Sequence, residues 1–357
     1  MSTTAGSPTA GSPPASSEET PEALASPRSL VDLILRARTF GIVVILGLLV
    51  LGTYLAQSSF LNGSNIRFIL GDTAIYALVA IGETFVILTR NVDLSVGSVV
   101  GLSAYVSANM FQSHPGIAVP LVFLVGFGVG LACGVVTGLV TAIGRVPSLV
   151  VTLAMLYIIR GFDTIIVGSG QVVANSLPQS FINIFHDNVI GIPDLAWLVA
   201  IAVGAAAYYL KNYRSGRDLY AIGSDPDAAR LAGIPVGRRI FLAFVLSGAI
   251  AGLAGVLWAT QYNTIDATAA NGLELQIVAA VVVGGVAIFG GSGSVVGAGL
   301  GALLLQTITV ALNVLGVPSL WTEPISGFLL LAAITLDRGI QLRLAAALRK
   351  RRGQHGA

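Results

Sequence analysis

The sequence predicts an all-α membrane protein: a polytopic bundle of about ten transmembrane helices, with broken helices and a short polar helix on the cytoplasmic side. Three observations predict it. Of 357 residues, 55% are hydrophobic and only 10% charged, against about 25% charged in soluble domains. The apolar residues gather in long runs, several reaching the ~20 residues that cross ~30 Å of hydrocarbon as a helix. Glycine supplies 43 residues, well above its usual ~7%, and lets helix backbones approach closely inside a bilayer.

In chain order, residues 1–38 are expected to form a disordered cytoplasmic tail and lead-in. The first 28 are rich in Ser, Thr, Pro, Ala and Glu, with no Lys or Arg before Arg28 and no apolar core of a signal peptide. A membrane domain follows over 39–337, with spans near 40–56, 66–89, 94–112, 116–143, 147–168, 189–210, 240–260, 274–289, 294–315 and 320–336. Residues 338–357 form a basic cytoplasmic tail.

With the N-terminus placed inside, 17 of the 19 Lys and Arg residues fall in inside connections or tails, as the positive-inside rule requires. The exceptions, Arg67 and Arg160, lie within spans. Both termini are therefore expected in the cytoplasm. Topology and the anionic inner leaflet account for the basic balance, so membrane lipid is the expected anionic partner and nucleic acid has no support. Cys133, the single cysteine, permits no intrachain disulfide, and no metal-ligand spacing or cofactor motif exists.

The long polar connection, about 211–239, carries a short-helix signature. Asp225 suits the N-cap, Pro226 the first helical position, and Asp227 the positive end of the dipole. Ala228, Ala229 and Arg230 continue the helix to about 232. Gly233 suits the left-handed residue beyond it, and Pro235 blocks continuation. A helix this short needs something to pack against, either its own domain or another protein.

Between the second and third spans stand Arg90, Asn91, Asp93, Ser95, Gly97 and Ser98. Asp93 and Ser95 read as caps, and Gly97 permits a closely approached backbone. The segment is either a tight inside turn or a broken helix whose N-terminus points into a solute path. Its GSVVG, Gly97–Gly101, recurs at Gly293–Gly297 after a second glycine-rich break. Gly126, Gly130, Gly134 and Gly138 form a ladder at four-residue spacing, and Gly293, Gly297 and Gly301 a shorter one. Both read as packing stripes.

Asp72, Glu83 and Arg90 fall near one face of the second span. A carboxylate there costs about 2.5–3.5 kcal/mol on insertion scales, so Asp72 and Glu83 are expected to face protein or a wet cavity. Arg160 and Asp163, at i and i+3, neutralise each other. No catalytic residue is expected. The GGSG at Gly290–Gly293 lacks a usable base for Ser292, because His114 and His186 fall outside and His355 lies in the tail. Neither Lys211 nor Lys350 belongs to a phosphate-binding GxxxxGK[ST] loop, so any ATP must be hydrolysed by another polypeptide.

Three stretches carry a family resemblance: VDLSVGS at 92–98, GRDLYAIGSDPDAARLAGIPV at 216–236, and GLELQIVAAVVVGGVAIFGGSGSVVGAGLGALLL at 272–305. Over about 40–337 the chain resembles the monosaccharide-type permeases of bacterial ABC importers, which include ribose, xylose, rhamnose and autoinducer-2 systems. The resemblance implies a non-catalytic permease in the bacterial inner membrane, working beside a second copy or paralogue. It also implies a cytoplasmic ATPase subunit with duplicated ATPase domains and a periplasmic or lipid-anchored solute-binding protein. The family's coupling helix falls on the capped helix at 226–232, and Glu274 starts the eighth span at its outer end. Many relatives carry two glycines where this chain has Arg90 and Asn91, a version closer to rhamnose and autoinducer-2 permeases. Many also have a basic residue at the position of Ser292. The rival reading is an ion-coupled secondary transporter using Asp72 and Glu83.

Overall fold

The computed structural model describes residues 27–173, 176–262, 264–335 and 339, so most of the two expected tails lie outside the described residues. Thirteen helices are described: α1 (Pro27–Ala56), α2 (Gly63–Leu88), α3 (Val96–Ser113), α4 (Val119–Gly138, continued by a π turn over Leu139–Ile143), α5 (Ser148–Val167), α6 (Gln179–His186), α7 (Asp194–Asn212), α8 (Arg214–Ser224), α9 (Pro226–Leu231), α10 (Val236–Gln261), α11 (Leu273–Val283), α12 (Val295–Val314) and α13 (Thr322–Thr335). Each of the ten expected spans meets a helix. Six of them, α2, α4, α5, α7, α10 and α12, are long and apolar enough to cross a membrane. Among the described residues, strand is confined to two-residue pieces, of which Val172–Val173 pairs with Thr264–Ile265.

Burial separates the helices into centre and rim. α2 is buried over most of its apolar length, whereas only a minority of α4, α5 and α7 is buried, as expected where one side faces other helices and the other faces lipid. The glycine ladder of α4 faces α10. A Cβ on Gly130 would lie 2.6 Å from the Gly252 Cα, and one on Gly134 would lie 2.6 Å from the Phe244 carbonyl oxygen. Gly138 approaches Phe241 and Phe244 in the same way. Backbone therefore touches backbone, which no residue with a larger side chain allows.

Two of the ten expected spans meet a break in the chain inside the protein. The chain leaves α2 at Leu88 and folds back, so that the Asp93 N–H donates to Glu83 Oε1 at 3.0 Å. Glu83 lies five residues before the end of α2, about 7 Å along its axis. α3 consequently starts inside the protein, with Val96, Gly97 and Ser98 all buried. The second case corrects the span expected over 274–289. α11 stops at Val283 because Gly285, Gly290, Gly291 and Gly293 take φ of 93°, 79°, 76° and 143°, values a right-handed helix of L-residues cannot continue through. Its 11 residues extend about 16 Å, half a hydrocarbon thickness.

Glycines of α3 and α12 clasp this half-helix. A Cβ on Gly97 would run into the Glu274 carboxylate at its start, and a Cβ on Gly301 would run into the Ala280 carbonyl near its end. Gly297 lies against Gly284 in the same manner.

Candidate functional site

The candidate site residues fall into three groups in the bundle. The first lies where α2 meets α3. Asp93 Oδ1 accepts from the Ser95 N–H at 3.0 Å and from its hydroxyl at 2.5 Å, while Ser247 Oγ of α10 donates to Oδ2 at 3.5 Å. Asp93 thus builds a turn ahead of α3. Ser95 occupies the N-cap position, but its side chain caps no helix amide, because the hydroxyl is committed to Asp93; the expected Ser95 cap is corrected on this point. Ser98 Oγ donates to the Ser95 carbonyl at 2.8 Å. Glu83, Asp93, Ser95 and Ser98 are all buried, so they shape the broken helix from within protein. Asp93→Asn, which keeps the Oδ1 acceptor, is expected to retain more uptake than Asp93→Ala, which leaves the Ser95 amide without its partner at about 1–3 kcal/mol; uptake normalised to inserted protein measures the difference.

The second group sits at one end of the bundle. Arg90 lies beyond the end of α2, not on its face, which corrects the alignment with Asp72 and Glu83. Its φ of 65° belongs to the left-handed region that glycine favours. Its side chain donates from Nε to the Gly223 carbonyl at 2.5 Å and from Nη2 to the Ser224 carbonyl at 2.6 Å, satisfying the exposed carbonyl end of α8. Gly291 N–H donates to the Leu88 carbonyl at 3.1 Å, and Tyr220 Oη donates to the Gly293 carbonyl at 3.1 Å. Asn91 turns back on Thr89. The end of α2, the end of α8 and the glycine-rich segment after α11 are thereby one joint.

From this joint projects α9. Asp225 Oδ1 accepts from the Asp227 and Ala228 N–H groups, each at 3.0 Å, and Gly233 takes φ of 76°. The helix runs Pro226–Leu231, one residue short of the expected end, because Ala232 is the C-cap. Ala229 is its buried anchor, packed with Ile222 and Val236. Asp227 and Arg230 pair at 2.8 Å on the exposed side, beside Leu231, which is 91% exposed. A fully exposed leucine next to a capped polar helix was not singled out in the sequence, where it reads as one more apolar residue. The two N–H donors hold the Asp225 carboxyl below the usual aspartate range. Its folded-state value is the lower one, so the cap is present above the ordinary aspartate pKa and lost only as pH falls through the depressed value. Amide exchange at Asp227 and Ala228 is expected to stay slow through mildly acidic pH in the wild type.

The third group lies midway along α2. Asp72 accepts from Gln261 Nε2 at 3.0 Å and from Tyr262 Oη at 3.5 Å. Tyr76 Oη donates to Gln276 Oε1 of α11 at 3.0 Å, which sets the start of α11 deep in the bundle. Glu274 does begin this helix, with its carboxylate against Gly97. Nearby, Arg160 Nη1 donates to the Ala269 carbonyl at 2.7 Å and stands 3.7 Å from Asp163. The arginine therefore fixes the non-helical segment ahead of α11 as well as meeting its aspartate.

A family model described as branched-chain amino acid transport system / permease component matches residues 65–334. The autoinducer 2 import system permease protein LsrC of Enterobacter sp. (strain 638) is 33% identical over 279 residues, covering 78% of this chain and 80% of its own. That of Yersinia enterocolitica serotype O:8 is 33% identical over 296 residues, covering 82% and 81%. That of Escherichia coli O157:H7 is 32% identical over 311 residues, covering 87% and 90%. No solved structure matches the chain. A match over three quarters of the chain, carried by a bundle of long apolar helices, means that this protein belongs to the family of transport-system permease components and is a multi-pass membrane permease of the ABC-importer type.

Proposed function

We propose that the chain forms one half of the translocation path of an ATP-driven importer for a small sugar-like solute of the rhamnose or autoinducer-2 kind. A cytoplasmic ATPase with duplicated ATPase domains would dock on α9, a solute-binding protein would deliver from outside, and a second copy or paralogue would complete the path. Both termini lie in the cytoplasm on this reading, as the distribution of Lys and Arg supports. The relatives named above are import-system permeases for autoinducer 2, which supports the solute class.

The observation that carries the proposal is the placing of α9. It is anchored through Ala229, exposes Leu231, Asp227 and Arg230, and follows directly on the carbonyls that Arg90 holds. A short rigid helix with an apolar tip fits a groove on a partner, and a push on it reaches the ends of α2 and α11 through the joint. Glu83, Arg90, Asn91, Asp93, Ser95, Gly97, Ser98 and Glu274 then organise the inner gate and the broken helices that line the path, not a catalytic centre.

The test is co-purification with the ATPase and transport in liposomes holding the permease, its ATPase and its binding protein. Leu231→Asp and Arg230→Glu are expected to reduce ATPase recovery at least tenfold while the permease still inserts. Full ATPase recovery in both variants, with crosslinks mapping away from α9, would return the helix to an ordinary surface loop.

A further inference from the structure

Three of the membrane-length helices leave a groove between them that neither the gate nor the coupling helix uses. α2, α7 and α12 line a cavity of about 400 Å³, with Ala74 and Ala77 on α2, Ala200 and Gly204 on α7, and Gly299 and Leu303 on α12. Small residues make it. A Cβ on Gly204 would meet nothing within 4 Å, and one on Gly299 would stand 3.8 Å from Val203 of α7. Ala74 and Ala77 are buried at its floor, while Ala200, Gly204 and Val296 are exposed, so the groove opens on the outside of the bundle. Only Thr73 among its lining residues carries a polar side chain.

Water finds too few partners in such a lining, and an empty groove forfeits the dispersion contacts of its walls. A bilayer supplies apolar chains at this depth, and the shape of the groove decides what fits. Along α7 it runs from Ala196 to Gly204, about 12 Å. Its mean cross-section is therefore about 30 Å², roughly a third of that of an α-helix with its side chains. The groove admits a single hydrocarbon chain and excludes a helix of another subunit.

The same face of α7 leads to a basic end. Lys211 lies seven residues beyond Gly204, nearly two turns and about 10 Å along the axis, less than the ~15 Å of one hydrocarbon leaflet. Tyr208, 63% exposed, stands between them and packs edge to face with Tyr213 at 6.3 Å. Tyrosine beside Lys and Arg is the composition of the headgroup level. No Asp or Glu occurs between Asp194 and Asp218, and Asp218 is taken by Arg239 at 2.7 Å. Arg217 spends Nη1 on the Asn212 carbonyl at 2.9 Å. Lys211 and Arg214 are exposed, and among the described residues neither forms an ion pair. An anionic headgroup complements this charge.

We propose that the groove is a binding site for one anionic phospholipid of the leaflet on the Lys211 side. An acyl chain lies between α7 and α12 against Ala74 and Ala77, and Lys211 and Arg214 meet the phosphate. The chain supplies the packing that Gly204 and Gly299 withhold, and it ties α7 to α12, which begins directly after the glycine-rich segment.

In the experiment, permease stripped of lipid in mild detergent is titrated with dioleoyl phosphatidylglycerol or dioleoyl phosphatidylcholine, and bound lipid is counted by native mass spectrometry. The wild type is expected to hold one phosphatidylglycerol at least fivefold more tightly than phosphatidylcholine, and to keep it in excess inorganic phosphate. Gly204→Leu, whose side chain enters open space, and Ala200→Leu are each expected to weaken both lipids at least fivefold while the permease stays monodisperse. Lys211→Gln combined with Arg214→Gln is expected to bring the preference for phosphatidylglycerol below twofold and leave phosphatidylcholine binding unchanged. Undiminished phosphatidylglycerol binding in both leucine variants, or no preference over phosphatidylcholine in the wild type, overturns the proposal. So does a short bismaleimide crosslink between two permeases through Ala200→Cys in a Cys133→Ala background, which would place a second copy over the groove.

Discussion

Gly223→Val is expected to abolish uptake while leaving α9 folded and capped. A side chain at residue 223 would run into the Leu88 carbonyl and the Gly291 amide, and it would lie 2.9 Å from the Gly291 Cα. All three are backbone atoms at the ends of α2 and of the segment after α11, so no rotamer change relieves the clash and the joint must open. The Asp225 cap, made within α9, is untouched. Arg90→Gly is the milder companion. It removes the bonds to Gly223 and Ser224, about 1 kcal/mol each for a group as exposed as this one, but it also relieves a left-handed conformation costing roughly 1 kcal/mol. Stability should therefore stay near that of the wild type while the ATP consumed per solute rises several-fold. Thermal unfolding of the purified complex, set beside the uptake-to-ATPase ratio, separates the two effects. A stable Gly223→Val variant that transports normally would show that the three segments move independently.

Gly130→Val is expected to prevent accumulation of folded permease. Overpacking a core ordinarily costs ~1–3 kcal/mol, and more where nothing can yield. Here the obstacle is the backbone of α10 at Gly252, and a Cβ on Gly252 would meet Gly130 Cα at 2.9 Å in return. Separating the helices to make room would also withdraw Gly126 and Gly134 from contact, so the loss extends along the whole interface. By contrast Gly128→Val, at a position with open space around it, should be tolerated. Size-exclusion profiles in mild detergent and the yield of monodisperse protein compare the pair directly.

Much of the fold was legible because a bilayer imposes a length and a polarity on each element. The ten apolar runs could be counted, and each meets a helix. The caps of α9 were legible because Asp, Pro and Gly each announce a backbone conformation. Where a run of apolar residues conceals a break, as over 274–289, hydropathy carries no signal. The glycines at 284–293 mark the break, but glycine is equally common inside packed membrane helices. The ladder on α4 displayed its own side, not its partner: Gly248 and Gly252 of α10 complete the contact, and nothing in spacing assigns one stripe to another.

The functional residues divided in the same way. Arg90 stood out as a charge near the membrane, yet its positive φ and its grip on α8, 133 residues away in sequence, are tertiary facts. Ala77, Gly204 and Gly299 read singly as small residues of separate spans. Only folding brings them to one groove. Asp72 was legible as a buried carboxylate, and its partners turn out to be an amide and a phenol.

The most direct test of the account is uptake by purified permease in sealed liposomes under two conditions. In the first, the permease is joined by its ATPase and binding protein, with ATP at the ATPase face and no ion gradient. In the second, it stands alone under an imposed proton or sodium gradient. The account predicts saturable solute uptake in the first, lost on removal of ATP or either partner, and none in the second. Gradient-driven uptake by the permease alone, abolished by Asp72→Asn, would contradict it and establish an ion-coupled carrier in its place.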